Sequence, residues 1–257
     1  MKHFFILLLF VSCKGLCLSE EAGEDPIVVA ASSYLPPYVI KDNDSGIQLE
    51  ILKAAFKSQG ISNIVVQYMP NKRVEQQLLQ GKVDIALNFA SGASTNIYQS
   101  EPLLRYQNVA ISLAEQNLKI DSIYDLAGKS VLGFQNATNF IEAPFKSVTR
   151  ILRSYDEVVN QEAQVDHLMK GWVDVIILER RVFLYYLEQY KQTAEIKPFV
   201  VHPIFNEAPR PAFFNSEVLK DTFNTGLGQI VESGEYQAII RLDGTEYAQI
   251  SSNELRK

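Results

Sequence analysis

Two hydrophobic rhythms alternate along the chain. Residues 27–31 form a short β-branched run that ends in the turn-rich stretch Tyr34-Leu35-Pro36-Pro37-Tyr38. From 47 to 56 the apolar residues fall at 47, 49, 51, 52, 55 and 56, the stripe of an amphipathic helix, and Gly60 lies just past its end. Next come a predicted strand at 64–68, a helix at 74–79 stopped by Gly81, and a buried strand at 83–87. Further on, the pattern predicts a strand at 109–113, a helix at 156–170, a strand at 173–178, a helix at 181–190 and a strand at 199–202. A last helix runs over 217–233, capped by Ser216 and stopped at Gly234. Short continuous apolar strands between amphipathic helices predict an α/β fold of mainly parallel sheets flanked by helices.

One stretch occurs twice. Leu79-Gln80-Gly81-Lys82-Val83-Asp84 reads as helix end, glycine and strand entry, and Met169-Lys170-Gly171-Trp172-Val173-Asp174 repeats it ninety residues later. Matching contexts around a shared Gly-x-Val-Asp predict two lobes of similar construction. The polar stretch 114–119 and the proline-bearing segment with Pro203, Pro209 and Pro211 have the features of crossovers between them. The expected division is a leader at 1–19, a first lobe at 20–113, a second at 114–205 and a return to the first at 206–257. Ligand sites usually form in the cleft between such lobes.

The chain has 257 residues, and its 47 % hydrophobic and 21 % charged content is that of an ordinary globular protein. Lys2 and His3 precede the apolar run 4–11, and Cys17 and Ser19 stand at the −3 and −1 positions of a cleavage point before an acidic stretch. This is the pattern of a secretory signal peptide, and eight apolar residues fall far short of the roughly 20 that span a bilayer. Removal of 1–19 leaves 22 basic against 30 acidic residues, a net charge of −8 that repels phosphate backbones and argues against a nucleic-acid partner. Both cysteines, Cys13 and Cys17, fall before the cleavage point, so the mature chain is expected to have no disulfide, thiolate metal site or cysteine nucleophile. His167 and His202 stand without nearby cysteines or matching carboxylates, so neither a metal nor a cofactor is expected.

Several further motifs share an order and spacing. They are Pro36-Pro37-Tyr38, Gly46-Ile47-Gln48-Leu49-Glu50, Gly81-Lys82-Val83-Asp84, Ser100-Glu101-Pro102 and Asp125-Leu126-Ala127-Gly128-Lys129. Gly171-Trp172-Val173-Asp174, Phe223-Asn224-Thr225-Gly226-Leu227 and Ser233-Gly234-Glu235-Tyr236 complete the series. Together they resemble the periplasmic solute-binding proteins of the polar amino acid type, which serve ABC transporters and share the type II two-lobed clamshell. The resemblance runs from about Ile27 to Gly244. It implies a non-enzymatic, periplasmic, monomeric protein that captures a small polar solute between its lobes and delivers it to an inner-membrane ABC permease.

The resemblance also points to site positions. Tyr34 and Tyr38 flank the loop where family members lay an aromatic ring over the ligand. Arg73 opens the helix before Gly81, where a cation opposes the helix dipole and gains no obvious local benefit. Asn88 and Ser91 align with pocket-lining positions, and Thr138 keeps a ligand hydroxyl in the second lobe. Amino-acid binders hold the ligand carboxylate with an arginine whose place is taken here by Asn96, and a neutral amide cannot supply that charge-assisted fork. A standard α-amino acid is therefore not the expected ligand. Glu179 stands where those binders keep an aspartate for the ligand ammonium, and it is expected to face Arg73 across the cleft. Arg105 is a possible substitute clamp, but nothing in the sequence places it.

Two other classes are weighed against binding and delivery. Cyclohexadienyl dehydratases resemble the chain at Thr138-Asn139, but they retain the missing arginine and place a general acid where Val182 stands. Sensory clamshells feed a membrane kinase or cyclase and are usually fused to a transmembrane helix and an output domain. With the chain stopping at Lys257, a free binding subunit is the expected form, and a ligand-presenting partner of a separate receptor is the alternative.

Overall fold

A computed structural model describes residues 25–32, 35–87 and 96–241, without the side chains of Asn71 and Arg241. The leader 1–19, Tyr34, Asn88 and Ser91 lie outside the described residues. β1 (Ile27–Ser32) is followed by α1 (Ile47–Ser58), β2 (Ile64–Met69), α2 (Asn71–Leu79) and β3 (Ile85–Leu87). β1 lies between β2 and β3 and is parallel to both. α1 buries the predicted stripe, with Ile47, Leu49, Ile51, Leu52, Ala55 and Phe56 all in the core.

The second half repeats this unit. After β4 (Tyr98–Leu113) come β5 (Ser130–Phe134), the short helices α3 (Ala137–Phe140) and α4 (Ala143–Val148), β6 (Ser154–Val158), α5 (Gln161–Met169) and β7 (Val175–Glu179). β5 lies between β6 and β7, again parallel to both. α6 (Arg180–Lys191), β8 (Phe199–His202), β9 (Glu207–Phe214), α7 (Glu217–Glu232) and α8 (Glu235–Arg241) follow. This is a two-lobed α/β clamshell in which each lobe is built on a three-stranded parallel block.

The repeated Gly-x-Val-Asp has one structural job in both places. Asp84 accepts the Val28 N–H at 2.8 Å, and Asp174 accepts the Ser130 N–H at 2.7 Å. The backbone N–H of each aspartate donates back, to the carbonyls of Val28 and Ser130. Each aspartate thus stitches the strand it opens to the central strand of its own block.

Antiparallel strands join the two blocks. β4 pairs with β9 over Tyr98–Gln107, then with β7 over Asn108–Ser112 and with β8 over Ala110–Leu113. It changes sheets between Gln107 and Asn108, while β9 continues to β3. Sequence reading found only 109–113 of this sixteen-residue strand, because Glu101, Arg105 and Gln107 interrupt its apolar run. The segment with Pro209 and Pro211, read as a loop, is β9. Its proline part pairs only with β4, because β3 pairs from Ala212 onward, and an edge tolerates residues that cannot donate. The expected helix at 156–170 is also divided: residues up to Val158 extend β6 beside β5, and Asn160 then caps α5 by accepting the Glu162 N–H at 3.0 Å.

Candidate functional site

The changeover in β4 borders an open cavity of about 450 Å³. From β4 it is lined by Pro102, Leu104, Arg105 and Gln107, and from the junction of β7 with α6 by Glu179, Arg180 and Arg181. Glu207 at the start of β9 and Tyr236 on α8 complete the lining. Tyr236 is held by its hydroxyl, which donates to the Leu103 carbonyl at 2.8 Å. The two sheets therefore meet at a space whose walls come from both.

Glu179 is the last residue of β7 and only 6 % exposed. One oxygen, Oε2, accepts the N–H groups of Arg181 at 2.7 Å and Val182 at 3.1 Å, so the side chain caps α6. The other, Oε1, accepts the Gln107 N–H of β4 at 3.3 Å. Burial raises the Glu179 pKa, and that effect exceeds the opposing influence of the Tyr38 hydroxyl, the Arg181 charge and the amides of Val182 and Gln107. The sequence assigned this carboxylate to a ligand ammonium. In the structure it is occupied by the protein's own backbone.

Tyr38 lies directly behind it. Its ring is fully buried and stacked on Tyr106 of β4, and Arg210 of β9 stands over the far ring at 4.4 Å. Its phenol is pushed well above the ordinary tyrosine value by burial first and by the Glu179 charge second. The buried hydroxyl acts on that carboxylate but makes no hydrogen bond of good geometry. The loop carrying Tyr38 is clamped to α1, since the carbonyls of Pro37 and Tyr38 accept the N–H groups of Ile47 and Gln48. Gly46 makes this approach possible: its φ is +116°, and a Cβ there would lie 2.6 Å from the Tyr38 carbonyl oxygen. Tyr38 is thus a buried part of the junction in this conformation rather than an open wall.

The other described candidates stand apart from this cavity. Arg73, in the first turn of α2, is exposed, and among the described residues no hydrogen bond or ion pair joins it to Glu179. The acid is buried as the cap of α6, while the arginine is on the surface. Asn96 is exposed just before β4. Thr138 is half-buried in α3, and its N–H donates to Glu157 Oε1 at 3.1 Å. Val182, where the dehydratases place an acid, is buried in the core.

Glu157 was missed by sequence reading. It lies near the carboxyl end of β6, and its carboxylate accepts the N–H of Asn136 at 2.7 Å, the N–H of Thr138 and the hydroxyl of Tyr155 at 2.7 Å. Partial burial works to raise its pKa, but the Tyr155 hydroxyl and the two amides outweigh burial and hold it below the usual value. The amides at the start of α3 therefore already hold an anion. Arg180 and Arg181 follow Glu179 directly in the first turn of α6, and the Arg181 charge acts on that carboxylate.

No curated protein matches the chain in sequence. In structure it is similar to the GluR0 ligand-binding core in complex with L-glutamate, at 19 % identity and a TM-score of 0.68, over 86 % of this chain and 98 % of that one. It is also similar to ArtJ, an arginine-, lysine- and histidine-binding protein from Geobacillus stearothermophilus, at 18 % identity and 0.62, over 91 % and 100 %. A histidine kinase sensor domain with similarity to periplasmic binding proteins matches at 16 % identity and 0.64, over 84 % and 95 %. These likenesses carry the fold. Among the described residues no helix is long and apolar enough to cross a membrane. Residues 27–241 match the family directly, and the chain belongs to the bacterial extracellular solute-binding proteins, family 3.

Proposed function

We propose that the protein is an exported, monomeric receptor for a small polar solute other than a standard α-amino acid, and that it delivers this solute to an inner-membrane ABC permease. The lobes are read as 20–113 with 206–257, and 114–205, closing on ligand at the junction of β4 and β9. The carrying observation is the state of the three groups that would grip an α-amino acid. Asn96 replaces the arginine clamp, the α3 amides hold Glu157, and Glu179 is spent as the cap of α6. A zwitterion would meet neither a free cationic fork nor a free carboxylate at those places. Tyr34, Asn88 and Ser91 remain candidate contacts on the first lobe, and Arg73 a candidate at its rim.

A binding role fits the family better than a catalytic one, since Val182 supplies no acid beside Glu179. A second reading, ligand presentation to a membrane sensor, is favoured by the likeness to the kinase sensor domain. Deleting the gene distinguishes the two: loss of solute uptake supports delivery, and loss of a transcriptional response with intact uptake supports sensing.

The direct test is a thermal-shift screen of residues 20–257 against several hundred metabolites, followed by calorimetry. A bound ligand raises stability by about 2.7 kcal/mol at a hundredfold excess over Kd. Expected is a shift with at least one polar solute and none with glutamine, arginine or histidine. Micromolar binding of any of those three overturns the reading.

A further inference from the structure

We propose that Glu179 is a latch between the lobes: from the end of β7 its carboxylate holds both the connecting strand β4 and the loop of Tyr38, and so fixes the angle between the lobes before any solute binds. The latch rests on the lobe division given above and does not depend on which solute is bound.

The geometry starts at the changeover. Through Gln107, β4 pairs with β9, and from Asn108 it pairs with β7. A change in the angle between the lobes has to bend β4 near this point. The backbone of Glu179 pairs with Asn108, on the second-lobe side. Its side chain reaches back across the changeover, where Oε1 accepts the Gln107 N–H at 3.3 Å. Oε2 stays on the second lobe with the N–H groups of Arg181 and Val182. One carboxylate therefore spans the changeover with an oxygen on each side. Arg181 crosses in the same direction, since its Nη1 donates to the Arg105 carbonyl at 3.4 Å. Pro209, opposite Arg105 in β9, has no N–H to offer that carbonyl.

The second arm of the latch is Tyr38. Its loop belongs to the first lobe and is tied to α1 through the carbonyls of Pro37 and Tyr38. The ring is buried against Tyr106, and the hydroxyl acts on the Glu179 carboxylate. Capping α6 does not require this much. Asn160 and Ser216 cap α5 and α7 by accepting one N–H each. Glu179 accepts two at its helix and a third from β4, and it carries the Tyr38 contact as well. The additional partners lie on the first-lobe side. Turning the lobes gives up these contacts together, and a solute that turns them must supply the difference through its own contacts.

The experiment is a distance measurement by double electron–electron resonance on residues 20–257, without solute. Nitroxide labels go on Gln76→Cys of α2 and Glu162→Cys of α5, both exposed positions, one on each lobe. This span has no cysteine of its own, because Cys13 and Cys17 precede it. The labelled protein with its latch intact should give one narrow distance distribution. Glu179→Gln keeps the size of the side chain and one oxygen for the α6 amides, but it turns an NH2 group toward the Gln107 N–H. Its distribution should broaden. Tyr38→Phe removes only the hydroxyl and should broaden it less. Asp174→Ala is the control: it weakens the second lobe from within, through the Ser130 N–H, and should leave the distribution narrow. An unchanged width in Glu179→Gln overturns the latch. Broadening in Asp174→Ala as great as in Glu179→Gln also overturns it, because the angle then follows stability rather than Glu179. Broadening in Glu179→Gln alone assigns the latch to the Gln107 arm. If Glu179→Gln does not fold, Tyr38→Phe decides: a broader distribution supports the latch and an unchanged one overturns it. No outcome involves a bound solute, so the receptor reading is judged separately by the metabolite screen.

Discussion

The ring of Tyr38 lies on that of Tyr106, centroids 4.3 Å apart and planes 30° from parallel. One tyrosine belongs to the loop after β1, the other to the strand that carries the chain from one sheet to the next. Both are buried, so the contact fixes the loop after β1 to the junction itself. Arg210 completes the stack from β9, the second connecting strand.

Tyr106→Ala should therefore cost about 3 kcal/mol or more, the usual loss when a large buried ring is removed. Chemical denaturation measures it. Tyr38→Phe keeps the ring and removes only a hydroxyl without a well-formed hydrogen bond, so stability should change by less than about 0.5 kcal/mol. That hydroxyl nevertheless favours the charged form of Glu179, so the variant should titrate Glu179 at still higher pH. Carbon-detected NMR of the glutamate carboxyls reads the shift. An unchanged Glu179 would separate the two groups.

Asp84→Ala and Asp174→Ala should each cost about 1–3 kcal/mol, because each strands a backbone N–H of a central strand. The two sites belong to different sheets and share no partner. The double variant should match the summed losses to within about 0.5 kcal/mol. A much larger combined loss would mean that the lobes do not unfold independently of this pair of contacts.

The same aspartates show how far the sequence could be read. Gly-x-Val-Asp was visible twice because the glycine, the apolar run and the carboxylate all act within a few residues of one another. The α1 stripe was visible for the same reason. Most of β4 and all of the paired part of β9 were not, since their pairing joins residues a hundred or more positions apart, and polar and proline residues mask their extended character. The site suffered most. Glu179 was singled out as a candidate carboxylate, but its occupation by the amides of residues 107, 181 and 182 depends on where two distant strands meet. Glu157 has no motif at all. Only the fold brings it onto the α3 amides. Arg105 was noticed and could not be placed until β4 put it beside Arg180 and Arg181.

The two glutamates should give opposite pH dependences. Glu157 has a folded pKa below its unfolded value, so its stabilisation is complete above the ordinary carboxylate range and is lost as pH falls through the folded pKa. Glu179 has a folded pKa above its unfolded value, so its contribution is present at low pH and is lost as pH rises through the folded pKa. Urea denaturation from about pH 3 to pH 7 tests both. Relative to wild type, Glu157→Gln should lose less stability on acidification. Glu179→Gln should gain on wild type as pH rises. Parallel profiles for the wild type and both variants would contradict the assigned directions.

Gly226 and Gly228 provide a matched pair on α7. A Cβ on Gly226 would lie 2.0 Å from the Ala55 carbonyl oxygen and 2.7 Å from its carbon, where α7 packs against α1. Those atoms are backbone within a buried helix, so the helices must separate to admit a methyl group. Gly226→Ala should therefore destabilise by about 1–3 kcal/mol, and the strain should spread to the Phe56–Phe223 contact between the same helices. Gly228, two residues on, has nothing within 4 Å of the same Cβ position. Alanine there relieves the helix of a flexible residue without a clash, so Gly228→Ala should stabilise by about 0.5–1 kcal/mol. Thermal and urea unfolding of the two single variants decide the matter. If both substitutions shift stability in the same direction by similar amounts, helix propensity governs α7, and the close α1–α7 approach at Gly226 is not what sets the spacing of those helices.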